Sequence, residues 1–317
     1  MLSIRWIPVL TLVLLAQMGT GCVAIHPKAI TLEELKARWN DREAQLKSYV
    51  CEYEEFFDIT DSTPQKFQND AYRERKNIVF TSLGELIRID ESVPAQKYRR
   101  TKAYDGKKSY SFSPVDRSEG RKAPDDFNIS TTEPPHMVAG RAPRCFLNQV
   151  SDFPTLSDIL NGAQDLSVER VGDEVVVKGK TSPTHGCDVV IGFSPKKNYA
   201  LTRWEIRMGE KNEYCTKAFV DAWTTVDGIA VPQKAHTEQY AEGTDQIELI
   251  QRFEFKSFDF KKELDPAIFT LKPKAFPVRV YDKDLRTYHK IKTSDEFEAF
   301  LKNMEKQERP KSSAVVG

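Results

Sequence analysis

A chain of 317 residues, 39% hydrophobic, 10% aromatic and 30% charged, holds enough apolar material for one large β domain or two smaller ones. Its 47 Lys and Arg balance 47 Asp and Glu, which argues against nucleic acid as a partner, because phosphate binding calls for a cationic excess. The balance is uneven along the chain: Ala71 to Cys145 carries 15 basic and 10 acidic residues, a pattern that suits a solvated sheet face or a face for anionic headgroups.

The N-terminus places one cation, Arg5, ahead of an apolar run from Trp6 to Ala16. A membrane-spanning helix needs about 20 apolar residues, so residues 1–22 read instead as a cleavable secretory signal. Two cleavage points fit. Gly19-Thr20-Gly21-Cys22 resembles the lipobox of bacterial lipoproteins, which makes Cys22 a lipidation site and anchors the protein to an envelope membrane facing the periplasm. Cleavage after Ala24 would instead release it into the periplasm. Either way Cys51, Cys145, Cys187 and Cys215 remain, an even number that permits two disulfides in an oxidising compartment.

The mature chain reads as a single domain over 25–308 followed by a frayed tail, 309–317. It opens on a capping box, Thr31-Leu32-Glu33-Glu34, and Leu32, Leu35, Trp39, Leu46 and Tyr49 then recur at helical spacing. The period changes to two where Tyr49, Cys51, Tyr53 and Phe57 alternate with Glu52 and Glu54, the signature of a half-buried strand. Lys76 to Ser82 and Leu83 to Asp90 form a candidate hairpin. Asp105-Gly106 supplies the positive φ angles of a second, between Lys97 to Tyr104 and Lys107 to Phe112.

Between Ser113 and Pro154 the pattern is lost among prolines. A connection of that length is functional or lies outside the ordered core, so 113–154 reads as one proline-rich insertion. A short helix follows, Thr155 to Asn161, closed by Gly162. Strands are then expected over Leu166 to Arg170, Glu174 to Lys178, Cys187 to Phe193, Tyr199 to Met208, Tyr214 to Thr224, Ile229 to Tyr240 and Gln246 to Phe260. Nothing between them resembles the helices that parallel crossovers use, so the sheet should be an antiparallel meander. Thr293-Ser294-Asp295-Glu296 caps a last helix with Phe297, Phe300, Leu301 and Met304 on one stripe.

Strand geometry also bears on the cysteines. With turns near Lys196-Lys197 and Glu210-Lys211, Cys187 and Cys215 lie opposite Ile206 from its two sides. Their Cα atoms are then roughly 9–10 Å apart, beyond the ~7 Å reach of a disulfide. Any bridge should therefore tie one of them to Cys145 or Cys51.

An N-terminal helix laid on a long antiparallel meander resembles the bacterial lipoprotein-carrier fold, which includes outer-membrane lipoprotein-sorting proteins and their receptors. The resemblance rests on the helix running into Tyr49-Val50-Cys51-Glu52-Tyr53, on Tyr104-Asp105-Gly106-Lys107-Lys108-Ser109-Tyr110, on Trp223 to Pro232 and on Asp265-Pro266-Ala267-Ile268-Phe269-Thr270-Leu271. It implies a mainly β, α+β architecture: a curved sheet or half-open barrel, covered by the helix and holding a lipid or acylated ligand on its concave face. Leu35, Trp39, Leu46, Tyr53 and Phe57 are the ligand-binding candidates, with the proline-rich stretch near the mouth. No catalytic constellation, cofactor motif or metal site is legible. His185-Gly186-Cys187 is a lone pair of ligand types and falls short of a zinc set. The expectation is a non-enzymatic envelope lipoprotein; the alternative is a structural or sensory module with a filled core that binds an envelope protein.

Overall fold

The computed structural model describes residues 30–60, 63–96, 98–113, 126–132, 143–149, 155–180, 187–209 and 214–306; residues 1–22, expected to be a signal, Cys22 among them, and the tail lie outside them. The capping box forms as its spacing requires. Thr31 Oγ1 accepts from the Glu34 N–H at 3.1 Å while Glu34 Oε2 accepts from the Thr31 N–H at 3.0 Å, and helix α1 runs over Leu32–Gln45.

Fifteen strands among the described residues form one curved, open sheet. A first meander contains β1 (Ser48–Asp58), β2 (Lys76–Leu83), β3 (Leu86–Val93), β4 (Tyr98–Tyr104), β5 (Ser109–Ser113) and β6 (Asp126–Ser130). A second contains β7 (Gln164–Val171), β8 (Glu174–Lys180), β9 (Asp188–Ser194), β10 (Ala200–Met208), β11 (Tyr214–Val226), β12 (Ile229–Tyr240) and β13 (Ile247–Asp259). The two join where β1 pairs antiparallel with β13, so the first strand of the fold lies near the middle of the sheet. The hairpin β14 (Val278–Asp282) and β15 (Thr287–Ile291) completes the edge, with β14 alongside β6.

That last pairing is parallel, the exception to the antiparallel expectation. No crossover helix is needed, because the whole second meander intervenes between β6 and β14. After β13 the chain must travel from mid-sheet to the far edge, about seven strand spacings or ~34 Å, which the residues from 260 to 277 cover.

The alternation seen in the sequence assigns the two faces. Tyr49, Cys51 and Tyr53 point to the inner face, where Phe80, Phe253, Ala235, Ala218, Trp204, Ile191 and Val177 continue one buried core across eight strands. Three helices cover it: α1, the short α3 (Arg144–Leu147) and α4 (Leu156–Gly162); α2 (Asp70–Arg73) lies beside β1. The outer face differs between the two meanders. On the second it is polar, with Arg203, Glu205, Arg207, Lys217 and Glu254 in ion pairs. On the first it is apolar toward the edge, where Tyr110, Phe127, Ile129 and Val280 pack under α5 (Ser294–Lys306) through Phe297, Leu301 and Met304.

The insertion read over 113–154 is more structured than its composition suggests. Its described residues include β6, a five-residue strand too short to announce a period, and α3, whose Cys145, Phe146 and Leu147 are all buried in the inner core. The remainder of that stretch lies outside the described residues.

Candidate functional site

The outer face of the first meander carries a groove of about 870 Å³, within the range of small-molecule sites. Strand register explains its floor. Glu52, Val79, Asp90, Thr101, Phe112 and Phe127 lie opposite one another across β1 to β6, a row perpendicular to the strands on one side of the sheet. The next row holds Asn77, Ser92 and Arg99. The floor is therefore acidic and polar at β1 and aromatic at β6.

The other wall is the segment that carries the chain from β13 to β14. Asp265 Oδ1 caps its tight turn by accepting from the Ala267 N–H at 2.8 Å, and Phe269, fully buried, anchors it. Arg88 pins this strap to the sheet. Its Nη1 donates to the Ile268 carbonyl at 3.1 Å, while Nε and Nη2 grip both oxygens of Asp90 at 2.8 and 3.1 Å. Thr101 Oγ1 adds a bond to Asp90 at 2.8 Å, so this carboxylate is fully engaged in holding the groove's shape. At the far end Lys272 pairs with Glu298 of α5 at 2.6 Å.

A bulge in β13 supplies one more lining residue. Register slips between Glu52 and Tyr53, so that Ser257 and Phe255 face them and Lys256 is extra. Its Nζ reaches Glu54 at 2.6 Å and Asn77 at 3.4 Å. Arg99 and Lys274 also line the groove, exposed at its rim, and neither has an ion pair among the described residues.

The residues expected to hold a ligand are placed differently. Leu35 and Trp39 are fully buried and Leu46 is 2% exposed, all within the inner core. Trp39 meets Phe193 edge-on with centroids 5.6 Å apart. Tyr53 packs against Phe253 and Phe255, and it alone of the five borders the groove. Phe57 is half-buried against Tyr72 at 5.0 Å. The face expected to be a cavity wall is thus occupied by protein. Phe146 sits edge-on to Phe253 at 5.0 Å, and Trp204 Nε1 donates to the Cys145 carbonyl at 2.7 Å. Sequence reasoning missed the groove because its lining spans Glu52 to Lys274 and no local pattern links them.

Cys51, Cys145, Cys187 and Cys215 are buried, and no disulfide joins any two of them, where the sequence permits bridges. Burial raises the Cys51 thiol well above its ordinary value, with Glu52 adding to the effect, so it is a poor nucleophile. The expected register about Ile206 is also corrected: Val189 and Thr216 face it. The one-residue displacement on β11 puts Cys215 opposite Arg207 on the outer side, whereas Cys187 belongs to the inner core.

Among the described residues no cluster of three or more metal-ligating side chains occurs, and no helix is long and apolar enough to cross a membrane. No protein-family model matches the chain, and no curated protein is similar to it. Two solved structures show a distant likeness. A DUF1329 family protein from Desulfovibrio piger is 12% identical, with 75% of this chain and 95% of that chain covered, at a TM-score of 0.41. PNGF-II is 9% identical, with 81% of this chain and 34% of that chain covered, at a TM-score of 0.17. Neither likeness carries an argument about ligand or activity.

Proposed function

We propose that this is an exported, non-enzymatic envelope protein that binds an apolar-bodied ligand in the outer-face groove and is held to a membrane by an acylated Cys22. The observation that carries the reading is the groove itself: about 870 Å³, aromatic at one end, cationic at its rim, and framed by a strap that Arg88 and Lys272 fasten at separate points. The filled inner face moves the ligand from the side where a lipoprotein carrier would hold it to the opposite side of the same strands. The same filled face also supports a second reading, an interaction module that binds a protein partner and no lipid.

Native mass spectrometry of the mature protein with a fluorescent fatty acid separates the two. One equivalent should bind, and Val79→Trp, which fills the middle of the floor, should abolish binding while leaving the melting temperature near that of the parent. An empty protein, or binding that survives Val79→Trp, contradicts the groove reading. The tether is tested by labelling cells with a clickable fatty acid: the label should be lost in Cys22→Ser, and a soluble, unlabelled protein beginning at Ile25 would exclude the anchor.

A further inference from the structure

We infer that the groove selects single-chain amphiphiles with an anionic head, a carboxylate or a phosphate, and that Arg99 and Lys274 receive it. This rests on the groove being the ligand site.

Five cations line the groove's outer-face side, and three are committed within the protein: Arg88 to Asp90 and the Ile268 carbonyl, Lys256 to Glu54 and Asn77, and Lys272 to Glu298. Arg100, which also borders the groove, belongs to the opposite side of β4 and donates to Ser111. Arg99 and Lys274 are left over. Of the acids, Asp90 is held by Arg88 and Thr101, Glu91 lies 3.9 Å from Lys76, and Glu52 stands three strands from Arg99. Three strand spacings are about 14 Å, beyond the ~8–10 Å over which exposed charges act in ordinary salt. The free positive charge is therefore at one end of the groove, and the acid without an ion-pair partner is at the other.

The apolar surface lies at the cationic end. Arg99 and Thr101 are on the same side of β4, two residues or about 7 Å apart, and Thr101 faces Phe112, which in turn faces Phe127. Leu271 of the strap belongs to the apolar cluster containing Phe127, with Phe112 packed against it. A ligand whose head meets Arg99 and Lys274 thus has half-buried Phe112 as the apolar surface nearest its tail, backed by Phe127 and Leu271, which are buried against one another. A neutral ligand would gain nothing from the two rim cations, and a cationic one would be repelled.

The test measures binding of four dodecyl amphiphiles below their micelle concentrations by displacement of the fluorescent fatty acid: dodecanoate, dodecyl phosphate, dodecyl maltoside and dodecyltrimethylammonium. At least one anion should bind at least tenfold more tightly than the neutral and cationic compounds, and which of the two leads distinguishes a carboxylate from a phosphate ligand. Arg99→Gln/Lys274→Gln should remove that preference and leave dodecyl maltoside unchanged. Lys196→Gln/Lys197→Gln, an equal loss of charge at the β9–β10 turn, should leave it intact. Equal binding of all four compounds, or a preference that survives the Arg99/Lys274 variant, overturns the inference while the groove reading stands. If none of the four binds, or if Val79→Trp leaves binding unaltered, both fall.

Discussion

The inner face and the outer face of the first meander are made by the same strands, one residue out of phase, yet they are finished in opposite ways. Phe80 and Ile89 are enclosed beneath helices; Val79 and Asp90, their immediate neighbours in sequence, floor an open groove. The inner cover comes from three helices that contribute large apolar side chains, among them Leu35, Trp39, Phe146 and Ile159, each at most 3% exposed. Over the groove the outer cover is a single strap with one helical turn, Pro266–Phe269, held by Arg88 and by Phe269, and it leaves the space above the floor open. On this curved sheet the side left to a strap, and not the side that the N-terminal amphipathic helix covers, is the one with room.

The comparison can be broken at several points. The largest effect should come from Trp39→Ala, which removes a fully buried indole from the inner core and is expected to cost about 3–5 kcal/mol in urea unfolding. Phe112→Ala, half-buried at the groove, should cost about 1–2 kcal/mol. Equal losses would mean that the two faces are packed alike.

An intermediate effect is expected at the sheet edge. Asp284 accepts from the hydroxyls of Ser130, Thr131 and Thr132 and from the Thr131 N–H, tying the turn between β14 and β15 to the end of β6. Partial burial works against its charge, but these bonds together outweigh it and hold the carboxyl at about 2. A carboxylate held below its unfolded value of ~3.9 adds stability above that pH, and loses it as pH falls through the folded value. Asp284→Ala should cost on the order of 1–3 kcal/mol at neutral pH. Asp284→Asn should flatten the fall in stability between pH 4 and 2, as read from urea midpoints; an unchanged acid limb would remove Asp284 as its source.

The smallest change is expected at Arg42, which is 1% exposed in the inner layer. Its Nη2 donates to the Ala230 carbonyl at 2.7 Å, Nε and Nη1 have no hydrogen-bond partner among the described residues, and burial brings the guanidinium down to about 10. An apolar side chain of similar length should serve at least as well, so Arg42→Met is expected to range from no change to a gain of about 2 kcal/mol. A loss of that size would show that the single bond to Ala230 is what holds α1 on the sheet.

Most of the fold was legible because its signals are local. Both capping boxes mark real helices, and Asp227-Gly228 turns β11 into β12 with both residues at positive φ, 51° and 80°. At Asp105-Gly106 only the glycine is left-handed, at 92°, and Asp105 Oδ1 instead accepts from the Lys107 and Lys108 N–H groups. What the sequence hid is non-local. The pairing of β1 with β13 joins residues some 200 positions apart, and the parallel seat of β14 beside β6 depends on where the strap emerges. Arg99, Phe112 and Lys274 become neighbours of one groove only through ladder register and the strap's path, neither of which hydrophobic period encodes.

Amide hydrogen exchange with and without saturating dodecyl phosphate tests the central claim most directly. Slowed exchange is expected over the strap, Ala267 to Lys274, and at the ends of β3 and β4, with α1 and Arg144 to Leu147 unchanged. Protection confined to α1 and Arg144 to Leu147 would place the ligand on the inner face and contradict the account.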